Sequence, residues 1–494
     1  MIRHFFAAVL SLVALTATIS AADPVPTFNK DIAPVVFERC SGCHRPGQGG
    51  PFSLLTFRDL EKRGGLIRHV VDTKLMPPWK AEPGDYAFRG DRRLTDAQID
   101  LLKRWIDGGM PEGQASDLPP APKFDSEWPL GKPDLVVEMP EAFTVPAEGP
   151  DIYRNFVLPI QLNEERYVKA LDFRPGAPSV VHHSLFYADA SGGARKMDAA
   201  DPAPGFGGGM RGVFLARFGD IDPLQRLMQM GKGPLPFPKL KPGDPIRPPA
   251  PPALPSFNSG VLGGWAVGKQ AHFLPDGLAY PLPAKSDLLL STHFHPSGKE
   301  EKEKSKVGLY FAKEKPEKRF APIQLPPLFS AFKGIDIPPG AEEYTIEDEF
   351  TVPIDCKAFL ATGHAHYLGK TMKMTATHPD GTMKTILSIP DWDFAWQEQY
   401  EFAQFVPLPA GTKLHVRITY DNTEENLSNP SNPPVRVRFG EESTDEMGSI
   451  TIQVVADREE ELPLVEAGVR EHFREALFKA NPAELIRLRQ RDRK

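Results

Sequence analysis

Cys40-Ser41-Gly42-Cys43-His44 sets two thiols two residues apart, with an imidazole directly after the second. That spacing reads as a covalent haem attachment site, because both thiols can form thioethers to a porphyrin and His44 can ligate the iron. A redox or zinc cysteine pair is the other reading of the same residues. Further potential ligands come as clustered histidines: His182 beside His183, His293 two residues before His295, and His364 two before His366. Alternate residues on a strand share a face, so His364 and His366 can chelate one ion. Neighbours point oppositely, so His182 and His183 need a local bulge or twist to share one.

Helices are expected around the cysteines. Ile32, Val35 and Val36 form an apolar stripe leading into Cys40. Thr95-Asp96-Ala97-Gln98 has the capping-box pattern, and Ile99, Leu102, Trp105 and Ile106 share one face of the helix it starts. Gly108-Gly109 ends that helix. Helix, haem loop and helix over residues 27–115 resemble a small class I cytochrome c domain. The resemblance implies one covalent haem c with a second axial ligand downstream. Met76, within Leu75-Met76-Pro77-Pro78-Trp79, is the expected one, and Met110 and His69 are its rivals.

Beyond a Pro-, Asp- and Lys-rich linker at 116–134 the pattern changes to short strands bounded by turn residues. They are expected at 134–139, 167–173, 180–187, 287–293, 350–361, 370–377 and 414–420. The expected fold class is multidomain: a small all-α unit, then two antiparallel, jelly-roll-like β-sandwiches at 135–320 and 321–456. A Pro/Gly-rich insertion at about 191–259 reads as lying outside the core and as a candidate lid, with Met210, Met228 and Met230 as packing or loop residues. A charged C-terminal helix is expected within 459–494, weakly broken by Pro482.

Composition bounds the function class. The 494 residues carry a formal charge of −7 and no basic, aromatic-interleaved patch, so nucleic acid is not an expected partner. With three cysteines, two of them in the haem motif, Cys356 stands alone and no disulfide framework is available. The 53 prolines and 41 glycines suit many short strands. Residues 1–22 read as a secretory signal, with Arg3 before an apolar run and cleavage near Ala21/Ala22. That run is too short to span a bilayer, so a periplasmic or secreted protein without stable membrane insertion is expected.

Four motifs occur in order: His182-His183-Ser184-Leu185-Phe186-Tyr187, Thr292-His293-Phe294-His295-Pro296, His364-Ala365-His366-Tyr367-Leu368-Gly369-Lys370 and Ser443-Thr444-Asp445-Glu446-Met447. Together they resemble the copper type II, ascorbate-dependent monooxygenases, the family of peptidylglycine α-hydroxylating monooxygenase and dopamine β-hydroxylase. Gly264-Trp265-Ala266 and Leu274-Pro275 add a weaker match. The resemblance covers about residues 135–455. It implies two mononuclear copper sites: His182, His183 and His293 for electron transfer, and His364, His366 and Met447 for binding dioxygen. His295 competes with His293. A soft thioether favours Cu(I), which fits the second site to oxygen. Thr362 stands where the amidating enzyme has a substrate-binding Arg, and Ser449 and Thr451 replace its further polar and Tyr positions, so a peptidylglycine substrate is not expected. The resemblance implies C–H hydroxylation of an organic substrate with dioxygen. Electrons would come through the haem, from ascorbate or another one-electron reductant, or from a periplasmic donor. A periplasmic electron-transfer or copper-handling protein without hydroxylation is the alternative.

Overall fold

The computed structural model describes residues 24–46, 48–124, 128–218, 260–267 and 269–480. The expected signal segment, most of the 191–259 insertion with Met228 and Met230, and residues 481–494 with Pro482 lie outside the described residues. No helix among the described residues is long and apolar enough to cross a membrane.

The N-terminal part is helical: α1 (Ala33–Arg39) continues a wider turn at Phe28–Ile32, and α2 (Phe57–Glu61), α3 (Gly64–Asp72) and α4 (Asp96–Asp107) follow. Phe28, Ile32, Val36, Leu60, Val71, Leu102 and Trp105 bury one another. The capping box forms as expected, with Gln98 N–H donating to Thr95 Oγ1 (3.2 Å) and Thr95 N–H to Gln98 Oε1 (2.9 Å). Gly108 caps the other end.

The remainder is mainly antiparallel β-structure. The first sandwich runs through β1 (Leu135–Glu138), β2 (Phe143–Val145), β3 (Ile152–Pro159), β4 (Arg166–Arg174), β5 (Val181–Asp189), β6 (Val261–Ala266), β7 (Tyr280–Leu282), β8 (Asp287–Phe294), β9 (Glu301–Glu303) and β10 (Lys306–Phe311). One sheet has the order β1-β10-β4-β7 and the facing one β3-β8-β5-β6. Val168, Phe173, Val307 and Leu309 of the first sheet meet Phe156, Leu158, Phe186, Leu288 and Leu290 of the second.

The second sandwich runs through β11 (Ala321–Leu325), β12 (Asp336–Ile337), β13 (Tyr344–Thr351), β14 (Cys356–Ala365), β15 (Gly369–Thr377), β16 (Met383–Ile389), β17 (Gln399–Leu408), β18 (Lys413–Tyr420), β19 (Val437–Arg438) and β20 (Gly448–Ala456). Its sheets are β11-β20-β14-β17 and β13-β18-β15-β16. Leu274, Leu278, Phe359, Leu360 and Val455 form an apolar seam between the two sandwiches.

Four expectations need adjustment. The strand expected over 350–361 is two strands, β13 and β14, because Pro353 and the turn around it interrupt the ladder between Thr351 and Cys356. The insertion opens with helices α5 (Gly193–Ala200) and α6 (Gly209–Phe218). Ala194, Phe206, Val213 and Ala216 pack on Val157, Tyr187 and Leu289, so this part is built onto the sheet. Residues expected as linker are partly folded: Phe124 lies under Arg45, and Gly131 O accepts from the Tyr310 hydroxyl (2.8 Å). The C-terminal helix, α7, spans Leu462–Lys479 and buries Leu462 and Val465 in the second sandwich.

The fourth adjustment matters most for function. The stretch after Met76, expected as part of the helical unit at 27–115, packs on the second sandwich. Trp79 and Ala81 are buried in the core of the second sandwich. Phe88 bridges to Phe402, Ala403 N–H donates to Ala87 O (2.8 Å), and Arg92 pairs with Glu398 (2.5 Å). This strap fastens the helical unit to the second sandwich.

Candidate metal centres

Strand register builds the first cluster. His183 on β5 faces His293 on β8, and Tyr153 on β3 faces His293 from the other side. The β5–β8 ladder slips between Val181 and His183, which is the bulge that adjacent histidines require. It turns His182 onto the same face. His182 Nδ1 lies 3.2 Å from His183 Nδ1 and 3.2 Å from His293 Nδ1, and one ligand atom from each of the three fits within 4.8 Å of the others. Nitrogens bound at the usual 2.0–2.1 Å around one tetrahedral ion would stand about 3.3 Å apart. The donor set fits a metal ion, although imidazoles alone suit copper, zinc, iron or nickel.

Asp151 completes this cluster. Its Oδ2 accepts from His293 Nε2 (2.8 Å) and the Ser443 hydroxyl (2.6 Å), and its Oδ1 contacts His295 Nδ1 (2.8 Å). With Nε2 donating outward, His293 offers its Nδ1 lone pair to the cluster. Tyr153 stacks on His293 with centroids 4.3 Å apart. His295 is exposed and outside the triad, so geometry brings His293 rather than His295 to His182 and His183. Burial alone would raise the Asp151 carboxyl, but the hydrogen bonds from His293 and Ser443 outweigh it and hold it well below the usual carboxylate range.

The second cluster sits at the end of β14. His364 and His366 share a face with ring centroids 5.3 Å apart. His364 Nδ1 donates to Gln397 Oε1 (2.6 Å) and His366 Nδ1 to Asp445 O (3.1 Å), so both offer Nε2. Met447 is buried and directly precedes Gly448, the partner of Ala365, and its N–H and that of His366 both donate to Glu446 Oε2 (3.0 Å each). A Cβ at Gly448 would collide with the Tyr420 hydroxyl, which itself donates to Met447 O (3.2 Å). Glu446 lies fully buried behind the site, its carboxylate accepting from the N–H groups of Leu368 (2.7 Å), His366 (3.0 Å) and Met447 (3.0 Å). Phe329 rests against His364 (5.1 Å) within three successive non-glycine residues, Leu328, Phe329 and Ser330, at φ 48°, 52° and 71°. Such conformations cost about 1–2 kcal/mol each, and the N–H of Gly448 helps hold this turn by donating to Ser330 Oγ (3.2 Å).

Burial pushes the imidazoles of His182 and His366 down to about 3 and that of His364 to about 4, and His183 also lies well below its ordinary value. A depressed histidine contributes stability that is complete above its unfolded pKa near 6.5 and is lost as pH falls toward the folded value. In thermal melts of metal-free protein, the contribution of these four imidazoles should be level above pH 6.5 and fall toward pH 4. Buried Glu446, pushed up to about 8, contributes less as pH rises toward 8. The loss should be about 1–2 kcal/mol per imidazole at pH 5. A pH-independent melt from 7 to 4.5 would contradict the buried, neutral imidazoles.

At the cysteine motif, α1 ends at Cys40, and Cys43 and His44 follow in a tight turn in which His44 N–H donates to Cys40 O (2.9 Å). Both thiols are free and half-buried, and burial pushes Cys40 up to about 12. His44 Nδ1 is bonded to Phe52 O (3.1 Å), leaving Nε2 for a metal. Arg39 Nε, Arg45 Nε, Arg92 Nε and Trp79 Nε1 are buried without a partner. Met76 is half-buried at the end of α3, its N–H donating to Val70 O (3.0 Å). Its rivals are placed otherwise: His69 is exposed, and the Met110 sulfur packs where a Cβ on Gly64 would sit.

Sequence reading missed Asp151, Gln397 and Phe394. No local pattern marks them, since each acquires its place through strand pairing or a loop between sheets. Thr362, at the expected substrate-binding position, instead bonds Glu398 O (3.2 Å).

No family model and no curated protein matches the chain. Among solved structures, it is similar to a crystal structure from Sulfurospirillum deleyianum (11% identity, 28% of this chain, 98% of that chain, TM-score 0.13). It also matches infectious bursal disease virus in the VP2 subviral particle (8% identity, 66% and 72% covered, TM-score 0.18) and in the Gx strain (9%, 65% and 72%, TM-score 0.16). At these TM-scores none bears on fold or function.

Proposed function

We propose that this protein is a haem-bearing copper monooxygenase of the copper type II, ascorbate-dependent kind, hydroxylating a C–H bond of an organic substrate with dioxygen. The observation that carries the reading is the pairing of a three-imidazole cluster offering Nδ1 with a two-imidazole cluster offering Nε2 beside Met447. Copper at these sites would supply the dioxygen and one-electron chemistry, with a haem on Cys40, Cys43 and His44 as electron source. The chain's own groups do the rest. Asp151 orients His293, Gln397 and Asp445 orient His364 and His366, and Met447 adds a soft donor to the second site only. Met76 is proposed as the second axial ligand of the haem, which makes the N-terminal unit a cytochrome c domain. The strap from Trp79 to Arg92 keeps that unit against the second sandwich.

The test is metal and haem content followed by oxygen consumption. Protein matured with haem and loaded with copper is expected to hold two coppers per haem. It should take up oxygen only when an oxidisable substrate and a reductant are both present. Met447→Ala should abolish that uptake while retaining the copper of the three-imidazole site. Two coppers without uptake over a broad substrate panel would favour electron transfer or copper handling. No copper would sink both readings.

A further inference from the structure

One side chain, Phe394, touches both histidine clusters. The Phe394 ring lies 5.0 Å from His182, 6.0 Å from His293 and 5.6 Å from His366, centroid to centroid. With Phe394 at 5.0 Å and 5.6 Å, the His182 and His366 rings are at most about 10.6 Å apart. Phe394 is buried and also packs on Tyr367 (4.6 Å).

The loop that carries this ring is fixed on every side. Trp392 Nε1 donates to His366 O (3.1 Å) just before it, and Gln397 Nε2 donates to Phe394 O (3.2 Å) just after it. The same Gln397 holds His364 through Oε1. Lys80 ties down Asp391 (2.8 Å), and Arg92 ties down Glu398. A ring so anchored does not swing aside to admit solvent. In its absence the space would be lined by imidazoles and polar enough to hold water.

We propose that Phe394 is a positioning residue that sets the spacing of the two metal centres and keeps any bridging water or hydroxide from joining them. The inference rests on the copper reading above and adds that the centres work as two separate ions, with the Phe394 ring packed against imidazoles of both. Phe394→Leu, which keeps the space filled, should preserve that separation. Phe394→Ala should open it to a bridging ligand.

The test is electron paramagnetic resonance of the full chain loaded with copper(II), with copper counted independently. The parent and Phe394→Leu are expected to give signal for both coppers, with dipolar broadening between them. Phe394→Ala, still holding two coppers, should lose at least half of that integrated signal through spin coupling. Full signal with the parent line shape in Phe394→Ala would overturn the proposal while leaving the copper reading intact. If Phe394→Ala fails to hold two coppers, the parent decides: two coppers with no dipolar interaction would equally overturn it. Fewer than two coppers in the parent would defeat this inference and the copper reading together.

Discussion

Replacing His293 with alanine is expected to empty the three-imidazole site and leave the second site loaded, so the copper count should fall from two to one. Three effects combine. One of three donors is lost, the bulged His182 loses the partner 3.2 Å away, and Asp151 is left with a carboxylate no longer bonded by His293. Because His293 is 1% exposed, the substitution also opens a void beneath Tyr153. A stability loss of about 2–4 kcal/mol follows from the void and the hydrogen bond lost at Asp151. Asp151→Asn separates orientation from ligation: it keeps all three imidazoles but weakens the hydrogen bond that presents Nδ1, and should cost about 10–100-fold in metal affinity. Chelator competition with copper counting checks both. Parent affinity in His293→Ala would mean the metal is held elsewhere.

Glu446→Ala should do more damage than its single position suggests. The Glu446 side chain accepts from the N–H groups of His366, Leu368 and Met447 inside the protein. Removing it orphans all three, each at about 1–3 kcal/mol. The sum is a large share of the 5–15 kcal/mol that typically holds a domain together. Glu446→Gln keeps one accepting oxygen but turns an NH2 toward donors, so it should fall between the parent and the alanine variant. Denaturant melts read the order parent, Gln, Ala, and copper counting should show the second site failing first. An alanine variant as stable as the parent would show that the three donors find other partners.

The histidine pattern was legible because it depends only on the period-two geometry of a strand. His364 and His366 share a face without further help, and the adjacency of His182 and His183 demanded the bulge that the β5–β8 ladder contains. The Thr95 capping box and the Gly108 stop were equally local. What escaped depends on pairing across many residues. Asp151 reaches His293 only because β3 runs beside β8, and Gln397 reaches His364 only because the loop before β17 folds back over β14. The 350–361 stretch read as one strand because its apolar residues continue through Val352 and Ile354, whose side chains stay buried in the turn itself. The Pro/Gly texture after Ser191 concealed α5 and α6, whose buried residues, among those described, are mostly small and carry little periodic signal.

The strap bears on how such a chain comes to be assembled. Trp79 and Ala81 are core residues of a sandwich whose partner side chains, Tyr400 and Phe402, lie some 320 positions later. A ribosome adding about 5–20 residues per second supplies those partners only after tens of seconds. Until then the large side chains of Trp79 and Phe88 lack the aromatic partners they pack against, so maturation of the N-terminal part cannot finish before those strands exist. Severing the chain near residue 120 would therefore yield not two self-sufficient halves but one piece with a bare aromatic flap and another with a notch in its core.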